Sequence, residues 1–531
     1  MSDRATPIIV GIGEFKNPSK QCKDAIEPRS MMLKAINKAI KDVKLFSTVE
    51  EKLRADIDSI DVVETWSWSY PDLPGLLAND LKATVKHKAE YRSGGNAPTL
   101  ALDEAARRIA NKECQVAIVT GGEAIASREA CEKIGQIPPA GWTQVDSTAP
   151  AISPKTMVYP PGLSEAHKIG RPTQIYPMYE IALAAHRNQT MEANNEESAQ
   201  LYAEFAKVSA RNATAWSHGK EPWTSKEIGT VTQRNRLIAL PYPLLMNGLN
   251  SVNLSAAVVL TSTEYAENLG IAKQKWIYML GGAGTSDASL LWDRPNFYES
   301  PCISATLDAV MQVSRTNAKE IDLFDIYSCF PIVPKLAAIH LGLPIHGGPK
   351  PLSLIGSMTS FGGAGNNFSM HGVAEMVRVL RRRKRGTRGL VLGNGGNVTY
   401  QHALVLSANP PAMGQEYPRE NPLPKLLDVR GPAIDSRPEG KATIETYTVE
   451  FSRGGEPETA IIIGLLEKTG HRFVANHADR ATLNTLSSKV DNHVGNRGYV
   501  KPDQSHPGRN VFALEQNDRT GMQKALAQPK L

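Results

Sequence analysis

The sequence predicts an α/β protein made of two similar halves, followed by a small antiparallel β-domain. Three observations carry this. A glycine-rich loop, an amphipathic helix, a short apolar strand and a further glycine pair occur in that order twice. The first copy runs from Ser93-Gly94-Gly95-Asn96-Ala97-Pro98 to Gly121-Gly122-Glu123, the second from Gly356 to Gly396. The strands of both copies are apolar on both faces, the pattern of parallel strands covered by helices on each side, and two copies imply one duplicated half. After Pro410 the sequence instead alternates and turns at Gly454-Gly455 and Gly470, as antiparallel strands do.

Taken in order, Pro7 to Gly13 (PIIVGIG) reads as the first strand and Ser30 to Val43 as an amphipathic helix. Asp56 to Val63 gives a second strand, ahead of Trp66, Trp68 and Tyr70, which suit the cap of a core. A helix from Gly75 and a polar stretch from Lys82 to Tyr91 lead to the first copy, with its helix Thr99 to Ala110 and strand Gln115 to Thr120. Residues 123–241 are rich in proline and polar helices (Tyr176 to Thr190, Ser198 to Ala215), and Ile152 to Gln174 lacks strand character. Such an excursion over a core usually shapes a substrate pocket. The strand Asn250 to Ser262 completes the first half, residues 1–270. The second half, 271–409, repeats the plan with strand Trp276 to Gly282, helix Ile303 to Ser314, strand Ile321 to Ile326, a helix through Leu343, strand Gly389 to Leu392 and strand His402 to Ser407. Linker prolines precede the β-domain, 410–510, with strands at Thr443 to Ser452, Glu458 to Leu465 and His471 to Ala475. Residues 511–531 are polar and predict a flexible tail.

At 531 residues the chain exceeds one core, and its mixed composition is that of a soluble globular protein. Net charge is +6, and the densest basic run, Arg381 to Arg388, reads as a solvated turn at a helix C-terminus. No aromatic residues interleave that charge, so nucleic acid is not an expected partner. Five cysteines (Cys22, Cys114, Cys131, Cys302, Cys329) without CxxC spacing predict a reducing compartment and no metal site. No stretch is long and apolar enough to span a membrane. The terminal Pro529-Lys530-Leu531 resembles a small-basic-leucine peroxisomal address, which predicts an import receptor as partner; a cytoplasmic protein that merely ends this way is the alternative.

The order DIYSCF, GSMTSFGGAGNN, GLVLGNGG resembles the thiolase superfamily, specifically its thiolase-like proteins with an added C-terminal domain. The resemblance covers essentially the whole chain. It implies a duplicated αβαβα core with mixed or parallel sheets, a C-terminal barrel of OB type, a monomer or homodimer, and a coenzyme A thioester as substrate or ligand with no permanently bound cofactor. It also implies where catalytic groups belong, and each place is changed here. The nucleophilic cysteine falls at about Gly95. The loop carrying Asn or His before an acidic residue reads Tyr327-Ser328-Cys329-Phe330. The histidine of the Gly-His-Pro loop is a glycine in Gly362-Gly363-Ala364, and the last cysteine becomes Gly393. Thiolysis and Claisen condensation by the standard route are therefore not expected, and an atypical acyl transfer or non-catalytic binding of a CoA ester remain.

Candidate catalytic residues are His371, Cys329 and Tyr327. His371, in the first turn of the helix after the Asn366-Asn367 loop, suits a base, a packed core residue or a cap. Cys329, at a strand's C-terminal end, suits a nucleophile or a small buried hydrophobe. Tyr327 suits an acid, a hydrogen-bond donor or a structural aromatic. Expected substrate-binding positions are Gly95, Asn96, Gly362, Gly363, Asn366, Asn367, Gly393, Asn394 and Gly395, with the asparagines either donating to a thioester oxygen or serving the turn.

Overall fold

The computed structural model describes residues 4–92, 94–145, 159–383 and 386–515. The first half supplies β1 (Pro7–Lys16), β2 (Ile57–Val63), β3 (His87–Tyr91) and β4 (Val116–Ala124). Among its described residues the excursion that follows is mostly helical and adds only the short β5 (Leu237–Ala239) and β6 (Tyr242–Pro243) before β7 (Asn253–Ser262) returns to the core. The second half supplies β8 (Ile277–Ser286), β9 (Leu323–Ile326), β10 (Arg388–Gly395) and β11 (Tyr400–Ser407).

These strands lie in the order β3-β2-β4-β7-β1-β8-β11-β10-β9. Outward from the narrow β1–β8 join, where Ile8 faces Tyr278 and Ile9 faces Ile277, one half mirrors the other: β1, β7, β4, β2 against β8, β11, β10, β9. The duplication read from the sequence is thus a physical symmetry. The sheet is mixed, within the mixed or parallel sheets expected, although β4 and β10 of the repeated unit, read as parallel strands, each have one antiparallel neighbour. β2 runs parallel to β3 and β4, and β9 to β10, but β7 and β11 are antiparallel to their neighbours. The reason is the connections: β11 follows β10 through the tight turn 396–399, and the excursion returns the chain to the end of β4 that it left, pairing Asn253 with Ala124.

Side-chain alternation sets five layers. On β4, Ala117 and Val119 face the centre while Val116 and Ile118 face outward onto the Pro28–Asp42 helix; on β11, Leu404 and Leu406 face the centre while Ala403 and Val405 face outward onto the Pro301–Val313 helix. Between the two half-sheets lie two buried helices, Ala97–Ala110 and Phe368–Arg382, which are the helices of the repeated unit. Alanines at 97, 101, 105, 106 and 110 let the first of these fit between two sheets. The basic run beyond the second helix is less solvated than expected. Arg381 reaches back to Asp42 at 2.6 Å and to the Val10 and Lys275 carbonyls.

The C-terminal domain is a closed five-stranded barrel of β12 (Gly440–Phe451), β13 (Pro457–Leu466), β14 (Arg472–His477), β15 (Arg497–Pro502) and β16 (Asn510–Leu514). Its order, β12-β13-β14-β16-β15 and back to β12, with β14 parallel to β16 and a helix at Arg480–Leu486, is that of an OB barrel. Residues 511–514, expected to belong to a flexible tail, instead form part of a strand, because Asn510–Leu514 pairs with β15; the rest of that expected tail from residue 516 lies outside the described residues. Pro529-Lys530-Leu531 lies outside the described residues. Among the described residues no helix is long and apolar enough to cross a membrane. The cysteine reading needs one correction: the loop after β1 and the Ile125–Glu132 helix bring Cys22 and Cys131 together in a disulfide, 109 residues apart in sequence, while Cys114, Cys302 and Cys329 are free and buried.

Candidate functional site

The two central helices begin at the same place, one from each glycine loop. Ser369, in the first turn of the second helix, donates to the Gly95 carbonyl at 2.6 Å, and Thr99 of the first helix donates to the His402 carbonyl on β11 at 3.1 Å. The loop ahead of the first helix lies against the end of β10. At Gly94, where φ is +94°, an added Cβ would stand 3.2 Å from the Cα of Gly395 and 3.1 Å from the Gly396 nitrogen. Ser93 lies outside the described residues.

Tyr327 fills the centre of this junction. A Cβ on Gly95 would stand 2.5 Å from the Tyr327 hydroxyl and would meet the Asn394 carbonyl as well. A Cβ on Gly393 would stand 2.6 Å from the Thr99 hydroxyl, and one on Gly363 would meet Met358 and stand 2.6 Å from Asn250 Oδ1. At each of the three glycines the space of a side chain is taken by a neighbour.

A polar network surrounds Tyr327. Gln401 donates to Asn394 Oδ1 at 2.7 Å, Asn394 donates to the Tyr176 hydroxyl at 2.9 Å, and that hydroxyl donates to the Gly396 carbonyl at 2.9 Å. The Asn394 amide also points at the Cys329 sulfur, 3.9 Å away. Tyr176 stacks on Phe330 with ring centroids 4.6 Å apart, and Tyr327 meets Phe368 edge-on at 5.2 Å. Burial pushes the Cys329 thiol up to about 12, so it is protonated at neutral pH and a poor nucleophile. Burial and the neighbouring Cys329 raise the Tyr327 phenol well above its ordinary range, which leaves it a neutral donor. Among the described residues its hydroxyl has no hydrogen-bond partner, although the tyrosine is 7 % exposed.

The structure therefore brings together Gly95, Gly393, Asn394, Gly395, Tyr327 and Cys329, with Asn96 buried at the start of the first central helix. Gly362 and Gly363 line the adjoining loop, against Val252 and Asn250. Asn366 and Asn367 turn toward the first half: their amides donate to the Glu64 carbonyl at 3.3 Å and the Gly121 carbonyl at 2.8 Å. His371 does not join the cluster. Its ring packs on Phe361, which in turn packs on Phe368, the ring that meets Tyr327, and its Nδ1 hydrogen-bonds Glu14, which also pairs with Arg378. Burial alone would raise the Glu14 carboxyl, but His371 and Arg378 outweigh it and hold it down at about 2.

Three neighbours were not anticipated. Tyr176 comes from the excursion helix Pro172–His186, where nothing local sets it apart from Tyr179. Gln401 sits on β11, the last strand of the core sheet in chain order. Glu123, at the end of β4, lies beneath Gly365 and accepts from the Trp66 and Ser67 amides at 2.5 and 3.0 Å and from the Ser67 and Thr65 hydroxyls. Burial pushes its carboxyl up to about 7 against those hydrogen bonds. The Gly-Gly-Glu at the end of the first repeat was the available signal. Among the described residues no three His, Cys, Asp or Glu side chains gather as metal ligands.

Comparison with known proteins follows this geometry. Residues 422–505 match the family model for the thiolase-like protein type 1 additional C-terminal domain. The whole chain is similar to a monomeric SCP2-thiolase like protein type 1 from Mycobacterium smegmatis, at 27% identity over 97% of this chain and 100% of that one, with a TM-score of 0.78. The core alone is similar in fold to the dimeric peroxisomal thiolase of Saccharomyces cerevisiae, at 12% identity, 76% of this chain, 97% of that one and a TM-score of 0.54. It is likewise similar to human mitochondrial 3-ketoacyl-CoA thiolase in complex with CoA, at 13% identity, 76% of this chain, 98% of that one and a TM-score of 0.52. No curated protein matches the sequence.

Proposed function

We propose that the chain, a thiolase-superfamily protein with the additional C-terminal domain of the type 1 thiolase-like proteins, binds the thioester of an acyl-CoA without taking the acyl group onto a protein thiol. The observation that carries this is Tyr327. Its ring occupies the space beside Gly95 where the superfamily's nucleophile belongs, and its neutral hydroxyl is left free to donate to a thioester oxygen. The raised thiol of Cys329 and the packing of His371 on Phe361, outside the cluster, argue in the same direction.

Atypical acyl transfer is the second reading. It is favoured by one feature, the Cys329 sulfur within the Asn394 and Tyr176 network, where a bound ligand's own charge would change the thiol's surroundings. Titration with acetyl-CoA and longer acyl-CoAs, read by calorimetry and by intact protein mass, separates the two. Saturable binding with unchanged protein mass and unchanged ester is expected. An acyl-sized mass increase with released CoA, lost in Cys329→Ala, would replace binding by transfer, and failure of every ester to bind would overturn both. The setting we propose is peroxisomal lipid metabolism, on the strength of Pro529-Lys530-Leu531. A fluorescent fusion should lose peroxisomal signal when those three residues are removed.

A further inference from the structure

The turn that closes the site is strained. Between β10 and β11 the chain passes Gly396, Asn397, Val398 and Thr399, and Val398 adopts φ +61°. A β-branched residue there is a genuine outlier, and it persists only where the surroundings hold it. Tyr176 accepts from the Val398 nitrogen at 3.3 Å on one side. On the other side is Arg294, 1 % exposed, donating to the Asn397 carbonyl at 2.7 Å, the Thr399 hydroxyl at 2.9 Å, the Ala288 carbonyl at 3.0 Å and the Tyr179 hydroxyl at 2.8 Å. Among the described residues no carboxylate lies within ion-pair distance of it, although the charge of the buried Asp287 carboxylate acts on it. A buried guanidinium satisfied only by backbone and hydroxyl oxygens must have its own backbone held firmly in place.

The C-terminal barrel does that holding. Arg472, fully buried on β14, donates to the carbonyls of Trp292, Arg294 and Pro295, so it grips the segment that carries Arg294. Its charge is balanced by Glu445, bidentate at 2.6 and 2.8 Å. Glu445 is the extra residue of a β-bulge in β12, between Ile444 and Thr446, and the bulge is what turns its carboxylate toward Arg472. The linker passes through the same point. A Cβ on Gly431 would stand 2.6 Å from an Arg472 nitrogen and would meet the Arg294 carbonyl, so only glycine fits. A second contact, Thr446 donating to the Met178 carbonyl at 2.6 Å, ties the bulge to the helix of Tyr176.

We propose that the C-terminal barrel is a clamp on the site: Glu445 and Arg472 fix the 292–295 segment, Arg294 fixes the strained Gly396–Thr399 turn, and the turn in that form presents Asn394 and Gly395 to ligand. Arg294 and Arg472 are positioning residues. The ligand part of this proposal rests on the acyl-CoA reading; the clamp itself does not.

The test uses the full chain and two readouts, hydrogen exchange of the 395–400 peptide by mass spectrometry and acetyl-CoA affinity by calorimetry. Glu445→Gln and Gly431→Ala are each expected to speed exchange of the turn at least tenfold while β4, β7 and β13 stay as protected as in the parent. Acetyl-CoA binding should weaken at least fivefold. In a Val398→Gly background, where the turn has no strain to hold, Glu445→Gln should change exchange less than threefold, which a merely structural loss would not predict. Turn exchange within twofold of the parent in both single variants, or an equal change in both backgrounds, overturns the clamp. If Gly431→Ala does not fold, Glu445→Gln alone decides. A parent that does not bind acetyl-CoA sinks the acyl-CoA reading, while the exchange data still decide the clamp.

Discussion

Tyr327, just past the end of β9, fills with its ring and hydroxyl the space beside Gly95, which has no side chain of its own. Removing only the hydroxyl, by Tyr327→Phe, breaks no internal hydrogen bond, so stability in denaturant should be unchanged. Acyl-CoA affinity should fall by about five- to tenfold, the worth of about one neutral hydrogen bond. A thiol placed at position 95 by Gly95→Cys should not take up an acyl group. The new side chain meets the Tyr327 ring and the Asn394 carbonyl, and overpacking of this kind destabilises by about 1–3 kcal/mol. Urea unfolding should show that loss, and intact mass after incubation with acetyl-CoA should show no acyl-enzyme. The glycines and Tyr327 were legible in the sequence because motif positions are local. What fills the glycine positions was not, since Met358, Asn250 and Thr99 meet them only after folding.

Among the elements, those with strong periodicity were read closely. The predicted helix Thr99 to Ala110 is observed as Ala97–Ala110, and the predicted strand Asp56 to Val63 as Ile57–Val63. β3 was missed because HKAEY is polar and half-buried at a sheet edge, where only one neighbour constrains it. β15 and β16 were missed for a similar reason: GYVK and NVFAL are short, and the barrel closes them through distant partners. The excursion shows what local reading cannot supply. Its two long helices, Pro172–His186 and Met191–Arg211, are joined to the Ile332–Leu341 helix by fully buried Lys335, which binds Glu180 at 2.5 Å and Glu197 and Asn194 at 3.0 Å. Lys335→Met strands the buried Glu180 carboxylate, whereas Glu197 keeps its bidentate pair with Arg187, and breaking a buried pair typically destabilises by about 3–5 kcal/mol. Equilibrium unfolding in urea measures it. Because Tyr176 rides on the first of these helices, its site should loosen in the same variant.

Across the whole molecule, Glu14 is the point where β1, the second central helix and the excursion meet, through His371, Arg378 and Thr214. Its folded pKa, about 2, lies below the ordinary carboxyl value near 4.5. The stabilisation from this carboxylate is therefore fully present above about 4.5 and is lost as pH falls from there toward 2. Melting temperature should drop over that interval in the parent. In Glu14→Gln it should start lower at pH 7 and fall less. The plan of two similar halves was legible from one duplicated motif, but the five layers were expected only through the family resemblance, because a repeat alone does not say how its two copies pack. The closure of the barrel onto that core was not legible, since Glu445, Arg472 and Arg294 are separated by long stretches of chain and joined only by a bulge.

The crowding at the three glycines makes the order of substitutions matter. A lineage that gained a side chain at position 95 before trimming Tyr327 would pass through a clashing intermediate, and trimming Tyr327 first would open a void with nothing yet to fill it. Either path crosses a less stable protein, so the present arrangement works as a ratchet. Varying residue 327 relieves only the ring contact, while the Asn394 carbonyl still opposes a side chain at position 95, so folded clones from libraries that vary residues 95 and 327 together should still carry mainly glycine at 95.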